Sequence, residues 1–276
     1  MSHFSVAVIS KTPEDIDKLL APFDEQLEVK PYLVKTKKDA IKEGRLKVKD
    51  NLKYNKEYFL SHPKDIAVKA IIGELSTYRT WSNEDFYNYF INSTFWDSKE
   101  ELIEKELIKN NGDIYDTYNN NSKWDWYVIG GRYSGLLRLK KDIGYGVDQA
   151  LVKDVNFNYV DKDELADSKR YWDIIVEGHT PTKDEKERME YGIMPSKEYL
   201  IENYSNKFNY LKEVFDFKTY AILTPDEAWH EPGQVLYFGM SSASEEDHKD
   251  FSENYFNILD VEKYKDHYIT IVDCHI

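Results

Sequence analysis

With 276 residues, 41% of them hydrophobic and 15% aromatic, the chain can bury one core with insertions, and disorder over most of its length is excluded. Its 37 Lys and Arg against 51 Asp and Glu give a formal charge of −14, which repels a phosphate backbone and argues against general nucleic-acid binding. A lone cysteine, Cys274, excludes an internal disulfide and a thiolate zinc site, and no run approaches the ~20 apolar residues of a membrane span. The expectation is therefore a cytoplasmic protein with no leader, no membrane partner, and no metal or cofactor.

In chain order, His3 to Ile9 is a β-branched run ending at Ser10-Lys11-Thr12-Pro13, which predicts a strand and then a turn. Thr12 is placed to cap a short helix reaching about Leu20, with Pro13 at its first position and Glu14 and Asp15 in its first turn. From Val29 to about Lys109 the spacing of apolar residues predicts helices over roughly 64–76, 83–92 and 98–109. Asn110 to Ser122 has loop composition.

Trp124 to Leu139 contains two strand-like pieces around Gly130-Gly131, a pair that permits positive φ in a turn or bulge. Val147 to Val152 is a short run carrying Asp148 and Gln149, and residues 183–214 return to helical composition. Strands are expected over Thr219–Leu223 and Gln234–Met240, a helix over Asp247–Leu259, and a final strand over Tyr268–Ile276. The fold expected is one α+β domain over 1–276, built on a mainly antiparallel sheet. Its first and last strands are neighbours, and helices inserted at about 30–120 and 183–214 cover one face.

Side chains alternate along a strand, so His3 and Ser5 share one face of the first strand, and Asp273 and His275 share one face of the last. Were the two strands antiparallel neighbours, His3 would lie near His275; were they parallel, the imidazoles would sit at opposite ends. Two histidines can pass protons at neutral pH, with Asp273 orienting His275 and Ser5 holding phosphate. The bland alternative is two polar residues at strand ends.

A second constellation lies in Trp124 to Ser134. Arg132 offers a planar fork of donors for phosphate, Gly130 and Gly131 let backbone N–H groups approach a ligand, and Trp124, Trp126 and Tyr133 offer faces for stacking. Asp125 belongs to the same segment, and Asp148 and Gln149 could bond a base or ribose edge. The alternative is an aromatic hairpin in the core with Arg132 paired to Asp125. No His-x-x-x-His spacing, phosphate-binding Gly-x-x-x-x-Gly-Lys-Ser/Thr loop or Gly-x-Ser-x-Gly elbow occurs.

His3-Phe4-Ser5-Val6 resembles the His-x-Thr/Ser-hydrophobic motif of the two-histidine phosphodiesterases, which implies proton roles for the histidines and a phosphate role for the hydroxyl. The second copy departs from that pattern, since only Ile276 follows His275. Met1-Ser2-His3-Phe4-Ser5-Val6, Leu20-Ala21-Pro22-Phe23-Asp24-Glu25, Ser122-Lys123-Trp124-Asp125-Trp126-Tyr127, Ile129-Gly130-Gly131-Arg132 and Val272-Asp273-Cys274-His275-Ile276 together resemble a family of phage and prophage proteins. That family has Trp where this chain has Tyr133. The resemblance implies a phage origin and action in the host bacterial cytoplasm. By analogy the expected role is counter-defence against a nucleotide-derived immune signal, by cleaving it or by sequestering it as a sponge. An acidic protein inhibitor that binds a host defence protein is the remaining expectation.

Overall fold

The computed structural model describes residues 2–141, 144–191, 195–235 and 240–276. In chain order its first elements are β1 (His3–Ser10), α1 (Ile16–Leu20), β2 (Tyr32–Lys35), α2 (Lys37–Ser61), α3 (Ile66–Leu75), α4 (Asn83–Asn92), α5 (Lys99–Glu104) and β3 (Ile114–Asp116). Then come β4 (Trp126–Ile129), β5 (Gln149–Leu151), α6 (Lys162–Ile175), α7 (Lys183–Tyr191), α8 (Lys197–Tyr204), α9 (Lys207–Phe215), β6 (Ala221–Leu223), β7 (Trp229–His230), α10 (Glu245–Leu259) and β8 (Tyr268–His275). Positions 236–239 of the strand expected over Gln234–Met240 lie outside the described residues.

The chain divides into two compact units. Unit 1 comprises Met1–Glu25 with Asn121–Ile276, and unit 2 comprises Gln26–Asn120. Unit 1 is α+β, with sheet order β4-β8-β1-β6-β7 and β5 pairing with β8 beside β4. Every pairing in it is antiparallel except β1 with β6. β1 and β8 lie at its centre as antiparallel neighbours, so both are buried on both faces, which is why each is a nearly unbroken apolar run.

Two apolar clusters lie on the two faces of this sheet. Phe4, Val6, Val8, Val272 and Cys274 pack with Ile16, Leu19 and Leu20 of α1, and with Phe23 and Trp124. Ala7, Ile9, Ile269 and Ile271 point the other way and pack with Tyr255 and Leu259 of α10, and with Leu137, Val152 and Val155. A satellite cluster of Trp172, Leu200 and Tyr210 joins α6, α8 and α9.

Unit 2 is helical with a two-stranded ladder, β2 with β3. Its longest helix, α2, was not among the expected helices, because its buried stripe is Ala40, Gly44 and Val48, small residues that leave almost no apolar period. Gly44 lets α4 approach: a Cβ there would lie 2.2 Å from the Phe86 carbonyl oxygen. β3 falls inside the stretch read as loop, and α6 was not anticipated either. No described helix is long and apolar enough to cross a membrane.

Candidate active site

The register of the two central strands places His3 opposite His275 and Ser5 opposite Asp273. On the other side of β8, β4 places Trp126 opposite His275 and Val128 opposite Asp273. Directly opposed residues share a face, so His3, His275 and Trp126 form one row across three strands, and Ser5, Asp273 and Val128 form the next. These rows are the polar end of the face whose remainder packs under α10.

Within the first row the two imidazoles meet edge to face, with ring centroids 5.0 Å apart at 76°. Trp126 stacks on His275 at 4.9 Å and 17°, and meets His3 edge-on at 5.2 Å. His275 is thus covered, with 4% of its surface exposed, whereas Trp126 keeps 44%.

Each imidazole has its own carboxylate. Asp273 Oδ1 lies 2.9 Å from His3 Nδ1, and Asp125 Oδ1 lies 2.6 Å from His275 Nδ1. This corrects the expected role of Asp273 as orienter of His275. On a strand, residues 273 and 275 point the same way and stand two positions apart, so Asp273 reaches the cross-strand imidazole instead. Asp125, one residue before β4, is brought to His275 by the bond from its own N–H to the His275 carbonyl, 2.9 Å. The alternative pairing of Asp125 with Arg132 does not occur.

Neither Nε2 atom has a hydrogen-bond partner among the described residues. Neither is among the fully buried unpaired polar atoms there, which are Ser10 Oγ, Trp124 Nε1 and His267 Nδ1. The His3 side chain keeps 11% of its surface exposed and that of His275 6%. A carboxylate on Nδ1 fixes the ring's orientation and tautomer and leaves Nε2 as the proton-transfer atom.

The Gly130-Gly131 turn serves this arrangement. Both glycines have positive φ, 72° and 52°, and an aspartate crowds the place a Cβ would take: a Cβ added to Gly130 would lie 2.3 Å from Asp148 Oδ2, and one added to Gly131 would lie 2.5 Å from Asp273 Oδ2. Two of the turn's N–H groups are already engaged, Gly130 donating to the Ile271 carbonyl at 2.8 Å and Arg132 donating to Asp273 Oδ2 at 2.9 Å. Asp273 is thus held at both oxygens while 2% exposed.

The remaining expected site residues divide. Arg132 is exposed and its guanidinium makes no hydrogen bond or ion pair among the described residues. Ser5 is buried, and its hydroxyl accepts the Tyr220 N–H at 3.1 Å, so a phosphate role would compete with that bond. Tyr220 went unremarked in the sequence, because its contribution is a backbone donor and leaves no side-chain signal. Trp124 is corrected from a stacking surface to a core residue, 7% exposed in the cluster on the opposite face of the sheet.

Tyr133 is likewise not a free stacking surface. It packs against the α10-side cluster and donates its hydroxyl to the His3 carbonyl at 3.3 Å. Burial raises its pKa, the nearby Asp273 charge adds to the rise, and Arg132 opposes it, so the hydroxyl stays protonated as a donor. Asp148 and Gln149 are structural too: Asp148 accepts from Ser134 Oγ at 3.1 Å and the Gly135 N–H at 2.6 Å, and Gln149 donates to Thr270 Oγ1 at 2.7 Å.

Concavities lined by Arg138, Tyr145 and Tyr159, and by Phe256, Asp260 and Glu262, contain none of the site residues. Among the described residues no group of three or more His, Cys, Asp or Glu is placed to hold a metal ion. The chain matches no protein-family profile, no curated protein and no solved structure.

Proposed function

We propose that unit 1 carries an acid–base site that cleaves a phosphodiester in a small nucleotide-like molecule. The observation that carries this reading is the pair of cross-strand imidazoles, each with a carboxylate on Nδ1 and an Nε2 without a hydrogen-bond partner among the described residues. One Nε2 takes a proton from the attacking hydroxyl or water while the other gives one to the leaving oxygen, so two protons move and none accumulates. Arg132 holds the phosphate by its planar fork, and the exposed part of Trp126 supplies the apolar surface for a base. The resemblance to phage proteins makes a host immune nucleotide the substrate to try first, and counter-defence the setting.

The test is incubation of the full chain with a panel of cyclic mono- and dinucleotides, followed by chromatography of the products. Turnover is expected for at least one, with His3→Ala and His275→Ala each lowering the rate by about two orders of magnitude or more. Absence of both product and thermal protection across the panel would remove the proposal.

A second reading, a sponge that binds the same molecule without cleaving it, is favoured by the covering of His275 under Trp126. Recovery of intact nucleotide from heat-denatured protein, with no product at any pH between 5 and 9, would select it.

A further inference from the structure

The 25 residues of α2 carry a feature the net charge conceals. Lys38, Lys42, Arg45, Lys49, Lys53 and Lys56 are all exposed, and their spacing of 4, 3, 4, 4 and 3 follows the helical period. At about 100° per residue they fall within an arc of about 80°, and the stripe runs about 27 Å along the axis. The acidic residues of the same helix, Asp39, Glu43, Asp50 and Glu57, fall outside it, at about 100–140° from Lys38. The five lysines make no hydrogen bond or ion pair among the described residues. Arg45 alone is engaged, donating to Asn83 Oδ1 at 2.7 Å and lying 4.1 Å over the Phe86 ring.

Like charges at i, i+4 destabilise a helix by a few tenths of a kcal/mol per pair, so this stripe is a cost to α2 taken alone. Residues 26–120 hold 16 Lys and Arg and 16 Asp and Glu, so the whole excess of −14 belongs to unit 1 and the stripe stands on a neutral body.

We propose that this stripe docks unit 2 on the phosphate backbone of a nucleic-acid duplex, without reading its sequence. The chemistry selects among polyanions. A protein partner is normally anchored by aromatic or other large side chains in the centre of the contact, and a membrane surface by an apolar face; within the arc one large apolar side chain occurs, Leu60, beyond the last lysine at the C-terminal end of α2 and not at the centre of the row. A single strand would need aromatic faces on which bases stack, and the exposed aromatic of this helix, Tyr54, points about 160° away from Lys38. What is left is a straight row of cations, which serves a backbone that releases counterions.

The test uses the full chain and a fluorescein-labelled 20-base-pair duplex of arbitrary sequence, read by anisotropy. Binding is expected at 50 mM salt and should weaken about 500-fold by 200 mM, the dependence for about five phosphate contacts. The variant Lys42→Glu/Lys49→Glu/Lys53→Glu should lose at least 100-fold with unchanged circular dichroism. The same charge change in unit 1, Lys18→Glu/Lys162→Glu/Lys249→Glu, should cost less than threefold. No duplex binding at 50 mM salt would overturn the proposal, as would equal loss in both variants. So would stronger capture by single strands, polyglutamate or vesicles of anionic phospholipid. Nucleotide turnover by unit 1 is read separately, and its failure leaves these outcomes unaffected.

Discussion

Unit 1 and unit 2 solve the problem of burial in different ways. In unit 1 the central strands β1 and β8 are each buried at seven of eight positions, whereas α2 in unit 2 buries three residues out of 25. One unit invests in a two-faced sheet with a polar row at one end; the other is a thin helical layer, with Leu60 and Ile66 more than 80% exposed. Their charges part in the same way, −14 against zero. The difference teaches that net charge and composition, averaged over a chain of two units, describe neither.

The largest expected effect tests whether chemistry belongs to unit 1 alone. Asp125→Asn and Asp273→Asn each remove a carboxylate from an imidazole Nδ1 while keeping the shape, and each should lower nucleotide turnover by about 10²- to 10⁴-fold. The three-lysine reversal on α2 should leave turnover unchanged, and a comparable loss there would break the division.

Next comes packing. Ile271→Ala in β8, fully buried under α10, should cost about 2–5 kcal/mol in denaturant unfolding. Cys274 lies on the other face of the same strand, and burial raises its thiol pKa well above the ordinary 9.0. Its labelling by a thiol reagent should therefore be slow in the native protein and accelerate in Ile271→Ala. A folded-state pKa raised in this way contributes stability below pH 9.0 and loses it as pH rises further, so labelling should also quicken in alkali.

Gly44→Ala is the counterpart in unit 2, forcing a methyl against the Phe86 carbonyl, and should cost about 1–3 kcal/mol. Its effect should appear in hydrogen exchange of α2 and α4, and leave Cys274 labelling as in the parent protein. The smallest effect is shared by both units. Asp85 completes the capping box that Ser82 opens on α4, and Asp247 the one that Ser244 opens on α10, each held below the ordinary carboxylate value, Asp85 chiefly by the Ser82 backbone N–H and Asp247 chiefly by the Ser244 hydroxyl. Stability from both caps is present at neutral pH and is lost as pH falls below about 4, visible as fraying of both helix starts by hydrogen exchange.

The α+β class and the pairing of the first strand with the last were legible because β1 and β8 are apolar runs with a single histidine each near the same edge. Their antiparallel register was not fixed by composition. The meeting of the two imidazoles followed from it, but the assignment of carboxylates did not: whether Asp273 serves its own strand's histidine or the neighbour's depends on side-chain direction, and Asp125 enters through a backbone bond. Trp124 and Trp126 read alike in sequence, yet Trp124 lies before the start of β4 and packs into the cluster on one face, whereas Trp126 stands on β4 and stacks on His275 at the other. The diglycine signalled an unusual turn without telling that Asp148 and Asp273 crowd the space a Cβ would take. α2 escaped because small residues face its neighbours.

The partnership of His3 with Asp273 spans 270 positions of chain, and the sheet that holds it has β8 at its middle. Unit 2, a contiguous stretch of chain, can organise while the ribosome is still at work. Unit 1 must wait with β1 unpaired on the side that β8 will take, keeping apolar backbone in reach of other chains. The interval between the emergence of β6 and that of β8 is when this protein is most exposed to misassembly.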